Sequence, residues 1–573
     1  MKIKIQTIII FCLFFAYTYA FCAPPLYPIA GKKYPKDGVH KLPDVRVLRA
    51  QGLTQKQIAK ALGTSGTKKL AVILVNFATA GSSTSGGNTI TSDDITTAGS
   101  LISGLVQYYK ENSYGALVVE PYFILADGTR TQLSSAISTN KIYTLTAQME
   151  YYGSSDDVQL LVGDAITFAN TTQVTIPVNT VNYDAVMVLH AGYGEESTGY
   201  TGDCWSAFQT FSRSYPTTNG FTEGTIAPVR EKNADALGVT CHEFGHQLGL
   251  PDLYDTTNAS DQTRVGKWCL MDYGTWIDSG RKPSQLSAWC KKYLGWIVPT
   301  LTTATDISLK NVENNQTGSC YKINISGTTK EYFLIEYRKK NSVPQISDLA
   351  ILGEGLLVWH IDEDIMNETV TISGSGTDTR LNLNVINVDD AKHLSIRVEE
   401  ADKNYNMRSS KGDATDVFAK SSDVFTTPQS DSYNLGPTFI TISNFSGAGA
   451  DSMSMILTNF KSTTYLETRN IFAFPNPNRG ASSSTIRMVF TRPFTSGQLK
   501  IYTVSGDLVL TQLISRNNFS SNNSTDYSWI YDYSWNLKND FGNDVASGVY
   551  IYLIEAEIEG HKEIKTGRLA IIK

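Results

Sequence analysis

The chain of 573 residues lacks the features that would indicate a membrane or nucleic-acid function. Beyond its first twenty residues, no apolar run is long enough to cross a bilayer. Its 49 basic and 55 acidic residues give a net charge of −6, so it offers no basic surface for nucleic acid or an anionic membrane. It has no solenoid repeat, and its seven cysteines include no CxxC pair, which argues against a zinc–thiolate site.

The first twenty residues have the pattern of a signal peptide. Lys2 and Lys4 supply a positive end, and residues 8–20 form an apolar run too short to span a bilayer. We expect cleavage after Ala20, with Ala23 as the second choice. Cleavage after Ala20 removes two lysines and changes the net charge from −6 to 47 − 55 = −8. The sequence therefore predicts a secreted or cell-surface protein, in which disulfides are possible.

A chain of this length is too long for one hydrophobic core, so three or four domains are expected. Buried strands and long helices alternate up to residue 300, and short alternating runs rich in Thr, Ser and Val follow. This order indicates an α+β protein in which β-sandwich-like domains follow a mixed catalytic domain. The predicted segments are a signal peptide (1–20), a prosegment (21–68), a catalytic domain (69–300), a β-rich accessory domain (301–460), a linker (462–470) and an all-β C-terminal domain (471–573).

The segment His242-Glu243-Phe244-Gly245-His246 carries the clearest chemistry in the chain. On a helix, His242 and His246 project from one face, so both imidazoles can reach a single zinc ion with Glu243 beside the open coordination position. Gly249 then favours a left-handed helix end, and Pro251 prevents continuation. Asp252 can turn back as a third ligand, although the nearby Asp255 is an alternative. Three protein ligands with one open position are typical of a catalytic zinc site.

The spacing HExxHxxGxxD, followed by Leu270-Met271-Asp272-Tyr273-Gly274, resembles the metzincin clan of metallopeptidases. The longer string HEFGHQLGLPDLYD resembles the immune inhibitor A family in particular. The resemblance covers residues 69–300 and extends more loosely to 460. Most members of the wider clan have His where this chain has Asp252. The resemblance implies a twisted sheet with an active-site helix. It also implies a zinc-dependent endopeptidase that acts on extracellular proteins.

In that chemistry, Glu243 acts as the general base that takes the proton of the attacking water. Met271 is expected to form an apolar floor beneath the zinc. Tyr273 is a further candidate, because its phenol can donate a hydrogen bond to the reaction intermediate; structural burial is the competing interpretation. Two other functions stay open: a surface adhesin with a vestigial protease domain, and a zinc amidase acting on cell wall.

Three accessory features are also expected. Acid-rich loops at 252–255, 399–402 and 413–416 suggest calcium as a second cofactor, although none has EF-hand spacing. The prosegment could cap the zinc through Asp37, Asp44 or Cys22. Residues 471–573 resemble C-terminal sorting domains of type IX-secreted proteins, which implies export machinery as a partner; a plain immunoglobulin-like domain is the alternative.

Overall fold

The computed structural model describes most of the chain between residue 19 and the C-terminus. The described residues are 19–22, 24, 55–78, 86–132, 134–154, 158–171, 177–211, 220–257, 263–302, 306–325, 328–372, 376–388, 393–433, 438, 440–459, 471–490, 496–514, 529–558 and 561–573. Most of the predicted signal peptide and prosegment, including Asp37 and Asp44, and the predicted linker therefore lie outside the described residues. Within the described ranges, no helix is long and apolar enough to cross a membrane.

The first part of the chain builds an eight-stranded mixed sheet. Its strand order is β1-β7-β8-β6-β2-β3-β4, with β5 pairing with β2. The inner strands β8, β6, β2 and β3 run parallel, whereas β7 and β1 form an antiparallel edge. The strands are β1 (Tyr19–Cys22), β2 (Gly66–Asn76), β3 (Leu117–Ile124), β4 (Arg130–Thr131), β5 (Tyr143–Thr144), β6 (Ala185–His190), β7 (Ala207–Thr210) and β8 (Glu223–Pro228).

Helices cover this sheet and supply most of the remaining core. The second helix begins with a capping box in which Thr91 and Asp94 exchange hydrogen bonds between side chain and backbone. The helices are α1 (Gln55–Ala61), α2 (Ser92–Asn112), α3 (Met149–Gly153), α4 (Val158–Thr171), α5 (Glu195–Thr198), α6 (Leu237–Gln247) and α7 (Ala288–Tyr293), with 3-10 turns at Ser134–Ala136, Thr139–Lys141, Gly266–Trp268 and Tyr273–Trp276.

Strand β3 continues through Pro121. Pro121 pairs with Leu70 of β2 on one side only, because the outer neighbour β4 pairs only with Phe123 and Ile124. Proline removes one backbone donor, which is tolerated where no second strand needs it.

A second, five-stranded sheet is shared by two hydrophobic cores. Along β12, Tyr332 and Leu334 belong to the core of the first sheet, whereas Phe333 and Ile335 pack into a separate core with a three-stranded sheet. Because both faces are buried, the strand reads as a continuous apolar run rather than as an alternating one. Residues after 300 therefore pack directly on the first part of the chain.

The five-stranded sheet has the order β16-β13-β12-β11-β9, and the three-stranded sheet has the order β10-β18-β17. Their elements are β9 (Thr300–Leu301), β10 (Asp306–Lys310), β11 (Cys320–Asn324), β12 (Glu331–Arg338), β13 (Gly355–Asp362), α8 (Glu363–Met366), β14 (Thr369–Ile372), β15 (Gly376–Thr379), β16 (Ile396–Val398), α9 (Met407–Ser410), β17 (Ile440–Ser443) and β18 (Ser452–Asn459). The hairpin β14-β15 stands apart from both sheets.

The C-terminal unit has its own core, which includes the fully buried Trp535. It consists of a three-stranded sheet, β19-β21-β24, and a five-stranded sheet, β20-β26-β25-β22-β23. The strands are β19 (Ile471–Phe474), β20 (Asn478–Arg479), β21 (Ser484–Phe490), β22 (Ser496–Thr503), β23 (Leu508–Ile514), β24 (Trp529–Trp535), β25 (Gly548–Ile558) and β26 (His561–Ile572). The whole chain is thus of mixed α and β structure, as predicted, and the exact domain boundaries stay predictions.

Candidate metal centre

The helix that carries His242 and His246 begins and ends at defined positions. Asp235 lies just before it, and its carboxylate accepts a hydrogen bond from the Leu237 N–H at 2.8 Å. At the other end, Gly249 has φ +95°, and its N–H donates to the His246 carbonyl at 2.8 Å. A left-handed residue of this kind closes a helix and turns the chain back, which glycine does without strain. The reversal brings Asp252 back toward the helix.

Three side chains meet at this reversal. The Nε2 atom of His242 lies 3.0 Å from Asp252 Oδ1 and 3.1 Å from the Nε2 atom of His246, which is 3.3 Å from the same Asp252 oxygen. A tetrahedral zinc ion with bonds of about 2.0–2.1 Å separates its donor atoms by about 3.3 Å. The triangle of donor atoms thus has the size of one face of such a coordination shell. Two imidazole nitrogens and one carboxylate oxygen are also a donor set that zinc accepts.

Backbone carbonyls orient both imidazoles. His242 Nδ1 lies 2.9 Å from the Leu270 carbonyl oxygen, and His246 Nδ1 lies 2.7 Å from that of Leu250. A carbonyl oxygen only accepts, so Nδ1 carries the proton and donates, which leaves the Nε2 lone pair pointing at the partner ligands. The site is therefore oriented for metal binding by contacts that the HExxH motif does not contain.

The protonation states of the site also suit a metal. Burial lowers the pKa of His246 below its ordinary value and favours the neutral imidazole. Burial alone would raise the pKa of Asp252, but the electrostatic influence of the neighbouring histidines brings it down to about 2. A neutral imidazole and an ionised carboxylate are the forms that bind a cation.

The third position is held from outside the predicted catalytic segment. The Asn384 side-chain amide donates to Asp252 Oδ2 at 2.5 Å, and the Asp252 N–H donates to Asn384 Oδ1 at 2.7 Å. Asp255, the alternative third ligand, instead forms a 2.7 Å ion pair with Arg264. The structure thus brings Asp252 rather than Asp255 to the histidines. Sequence reasoning missed Asn384, because a residue 132 positions away leaves no local signature.

Met271 lies against the same helix. A Cβ atom added at Gly245 would come within 2.8 Å of Met271 Sδ, so the glycine permits this close approach. Glu243, Met271 and both histidines are fully buried. The role of Met271 as a floor beneath the metal stays a prediction.

Tyr273, the candidate from the sequence, and Tyr254 each have a defined neighbour in the structure. The Tyr273 hydroxyl receives a 2.5 Å hydrogen bond from Lys411 Nζ, and the lysine also stands over the Tyr273 ring. Tyr254, which the sequence did not single out, stacks near His242 with 6.3 Å between ring centroids. Tyr273 therefore has a structural partner, and its catalytic role stays a prediction.

A second group of carboxylates forms where two of the acid-rich loops meet. Glu400, Asp402 and Asp416 bring one oxygen each to within 4.8 Å of one another, and Glu400 and Asp416 are buried. Burial raises the pKa of Glu400 to about 7 and that of Asp416 to about 6. Asp416 also accepts a 2.7 Å hydrogen bond from the Trp268 indole, which ties the group to the segment before Met271.

The cysteines around the site are thiols in this structure. Cys204, Cys241, Cys269, Cys290 and Cys320 are buried, and none of these five forms a disulfide. The sulfur atoms of Cys269 and Cys290 come as near as 4.0 Å, which is a contact distance and not a bond. Cys241 lies beside His242 in the chain but is not among the three clustered ligands.

These features together define the metallopeptidase class. They are a helix with two histidines one turn apart, a buried glutamate between the histidines, and a carboxylate that follows the chain reversal at a glycine. Residues 56–298 match the family model described as immune inhibitor A peptidase M6, catalytic domain. This part of the chain is therefore similar to the catalytic domain of the immune inhibitor A family, as the motif predicted. The matched region includes α1, which we had predicted to lie in the prosegment.

Two relatives share part of this region. The pre-pro-metalloprotease PrtV of Vibrio cholerae serotype O1 is 32% identical over 129 residues, covering 19% of this chain and 14% of PrtV. Immune inhibitor A of Bacillus thuringiensis subsp. alesti is 34% identical over 128 residues, covering 19% of this chain and 18% of that protein. The chain thus spans less than a fifth of the length of either relative.

Solved structures give only distant similarities. Dimeric latent PorU from Porphyromonas gingivalis has a TM-score of 0.16 and 14% identity, covering 44% of this chain and 20% of that chain. PorZ, described as a surface component of the type-IX secretion system of the same organism, has a TM-score of 0.15 and 14% identity, covering 43% and 36%. Scores at this level do not indicate a shared fold.

Proposed function

We propose that this protein is a secreted zinc-dependent endopeptidase of metzincin type that hydrolyses extracellular proteins. The observation that carries the proposal is the triangle of His242, His246 and Asp252 donor atoms, with edges of 3.0–3.3 Å. Bound there, zinc would polarise the peptide carbonyl and make the attacking water more acidic.

The chain's own residues would carry the proton transfers. Glu243 follows His242 on the same helix and is fully buried, so its carboxylate is shielded from bulk water. It takes the proton of the attacking water and returns a proton to the leaving amine. Tyr273 is the proposed hydrogen-bond donor to the reaction intermediate. In this role its hydroxyl accepts a hydrogen bond from Lys411 and still has its own proton to donate.

The test separates metal binding from turnover. We expect Glu243→Gln to retain zinc in elemental analysis while casein hydrolysis falls by a factor of about 10²–10⁴. Glu557→Gln, an exposed change in the C-terminal unit, is the matched control. Full activity in Glu243→Gln would refute the assignment. Loss of casein hydrolysis with chelator separates a peptidase from an adhesin, and degradation of cell wall but not casein would favour the amidase.

We also propose that the N-terminal segment keeps the enzyme latent. Of strand β1, Phe21 and Cys22 remain after cleavage at Ala20, and they pair antiparallel with Phe208 and Ala207 of β7. The Phe208 ring lies 6.3 Å from the His246 ring. Trp276 lies shortly after Met271 in the chain, and its indole N–H donates a hydrogen bond to the Pro24 carbonyl oxygen at 2.7 Å. A segment bound in this way would take the place of an extended peptide substrate at the sheet edge.

Latency is tested by comparing two purified forms. We expect a form that starts at residue 21 to hydrolyse casein slowly, and a form that starts at residue 55 to hydrolyse it rapidly at equal zinc content. Equal rates would exclude latency. The comparison leaves the peptidase assignment intact, because both forms carry the same catalytic residues.

Calcium is the second cofactor that we propose, with Glu400, Asp402 and Asp416 as ligands. Three carboxylates in close contact repel one another when ionised, and a hard divalent cation offsets that repulsion. We expect added calcium to raise the melting temperature of the protein, and Glu400→Gln to remove that increase. An equal increase in the variant would contradict this assignment.

For the C-terminal unit, we propose an immunoglobulin-like sorting or anchoring role. The support is its separate core, which shares no member with the other described cores. We expect a protein ending at residue 460 to fold and to hydrolyse casein, but to be absent from the culture medium and cell surface. Normal export of the shortened protein would exclude the role.

A further inference from the structure

The turn that follows Met271 contacts His242, one of the three clustered side chains. Thr275 lies in the 3-10 turn Tyr273–Trp276, and its side chain is fully buried. Its hydroxyl donates a hydrogen bond to the Leu270 carbonyl oxygen at 2.7 Å. The same carbonyl oxygen accepts the Nδ1 proton of His242 at 2.9 Å. Thr275 therefore holds in place the acceptor that orients this imidazole.

Thr275 also lies against the imidazole itself. Its Oγ1 atom is 3.2 Å from His242 Nδ1. The hydroxyl hydrogen is used in the bond to Leu270, so Oγ1 presents a lone pair to the imidazole. Nδ1 thus faces two acceptors, which favour the tautomer with the proton on Nδ1 and leave Nε2 free for a metal ion.

Asp272 fixes the position at which this turn begins. Its carboxylate is fully buried and accepts four backbone hydrogen bonds of 2.7–2.9 Å, from the N–H groups of Arg264, Val265, Gly266 and Tyr273. A buried acceptor whose bonds are all made leaves its residue little freedom to move. The turn that carries Thr275 is therefore held at its first residue.

The same turn packs on the start of the helix that carries His242. A Cβ atom added at Gly238, the second residue of α6, would collide with the Thr275 carbonyl oxygen. Only a residue without a side chain permits so close an approach. His242 follows Gly238 by one helical turn. Helix and turn thus meet through backbone atoms, which fixes Thr275 relative to His242.

We propose that Thr275 is a positioning residue that sets the orientation of His242 for zinc binding. The inference rests on the proposed zinc-dependent activity and adds to it a residue outside the HExxH motif. Thr275 acts through the imidazole and is not itself a ligand. Without its hydroxyl, Nδ1 loses one of its two acceptors, and the Leu270 carbonyl loses the group that holds it.

The experiment measures the zinc affinity of the intact protein by competition against a chelator of known affinity. Thr275→Ala and Thr275→Ser both remove the methyl group, but only Thr275→Ser keeps the hydroxyl, so their difference isolates the hydroxyl. We expect Thr275→Ala to raise the dissociation constant for zinc about tenfold, the lower end of the range for residues that orient a metal ligand. Thr275→Ser should stay within about twofold of wild type.

Two further variants separate this role from a general effect on the fold. Thr275→Val keeps the side-chain volume without the hydroxyl, and it should weaken zinc binding as Thr275→Ala does. Thr240→Ala is the matched control, because Thr240 is a fully buried threonine of the same helix whose hydroxyl donates to the Ala236 carbonyl at 2.7 Å. Its zinc affinity should stay within about twofold of wild type.

The possible failures can be told apart. Equal zinc affinity in Thr275→Ala and Thr275→Ser would overturn the role of the hydroxyl, while a wild-type protein that binds zinc would still support the peptidase assignment. An equal loss in Thr240→Ala and Thr275→Ala would overturn it too, because any buried hydroxyl would then have the same effect. A wild-type protein that binds no zinc would overturn the proposed function and this inference together.

Discussion

Replacing Asn384 by glycine tests whether a residue far along the chain sets the affinity for zinc. Asn384 has φ +53°, a conformation that glycine adopts without strain, so Asn384→Gly removes the side chain with little effect on the backbone. What is lost is the 2.5 Å donor to Asp252 Oδ2 and the 2.7 Å acceptor of the Asp252 N–H.

Two independent estimates give the size of the effect. A hydrogen bond to a charged group contributes about 1.5–3 kcal/mol, which corresponds to a factor of about 10–150 in affinity. Loss of a residue that orients a metal ligand typically weakens metal binding about 10–100-fold. We therefore expect the dissociation constant for zinc to rise by a factor of about 10–100.

The assay is competition for zinc against a chelator of known affinity, followed by its absorbance. Asn444→Gly is the matched control, because Asn444 is an exposed asparagine with φ +56° in another loop. If Asn384→Gly held zinc within about twofold of wild type, the reasoning from Asn384 to Asp252 would be refuted, because a bond of this kind contributes far more.

Two further changes follow from the same region. Burial lowers the pKa of His190 to about 4 from its ordinary 6.5, so the folded state binds fewer protons than the unfolded state between these values, and stability is lost as the pH falls through that window. The loss of folding free energy is about 3 kcal/mol. His190→Asn should make the difference in stability between pH 7 and pH 4, measured by urea unfolding, smaller. An unchanged difference would contradict the assignment of the pH effect to His190. Gly245→Ala places a Cβ atom 2.8 Å from Met271 Sδ and should destabilise the fold by about 1–3 kcal/mol in thermal unfolding. A stability equal to wild type would show that Met271 moves aside freely.

Local patterns predicted the elements whose signals lie within a few residues. The helix that carries His242 and His246 is found as α6, and Gly249 ends it as expected. The meeting of His242, His246 and Asp252 was predictable because helical periodicity and a glycine stop act over eleven residues.

Contacts between distant segments were not predictable. Asn384 on Asp252, Lys411 on Tyr273 and Trp268 on Asp416 each join residues more than 130 positions apart. No spacing rule links them, because they depend on how the second sheet packs on the first. The two buried faces of β12 explain the difficulty: a strand buried on both sides carries no alternating pattern to mark which face meets which neighbour.

The sheet that contributes to two cores limits how this protein can be shortened. A protein ending at residue 300 would lose β12 and β13, leave apolar surface of the first core in water and discard Asn384. We therefore expect such a fragment to aggregate, whereas a protein ending near residue 460 would keep every described side chain that touches Asp252. For laboratory expression, the smallest unit expected to fold by itself is then the combined one. A search for relatives by the shorter segment alone would miss the part that holds Asp252 in place.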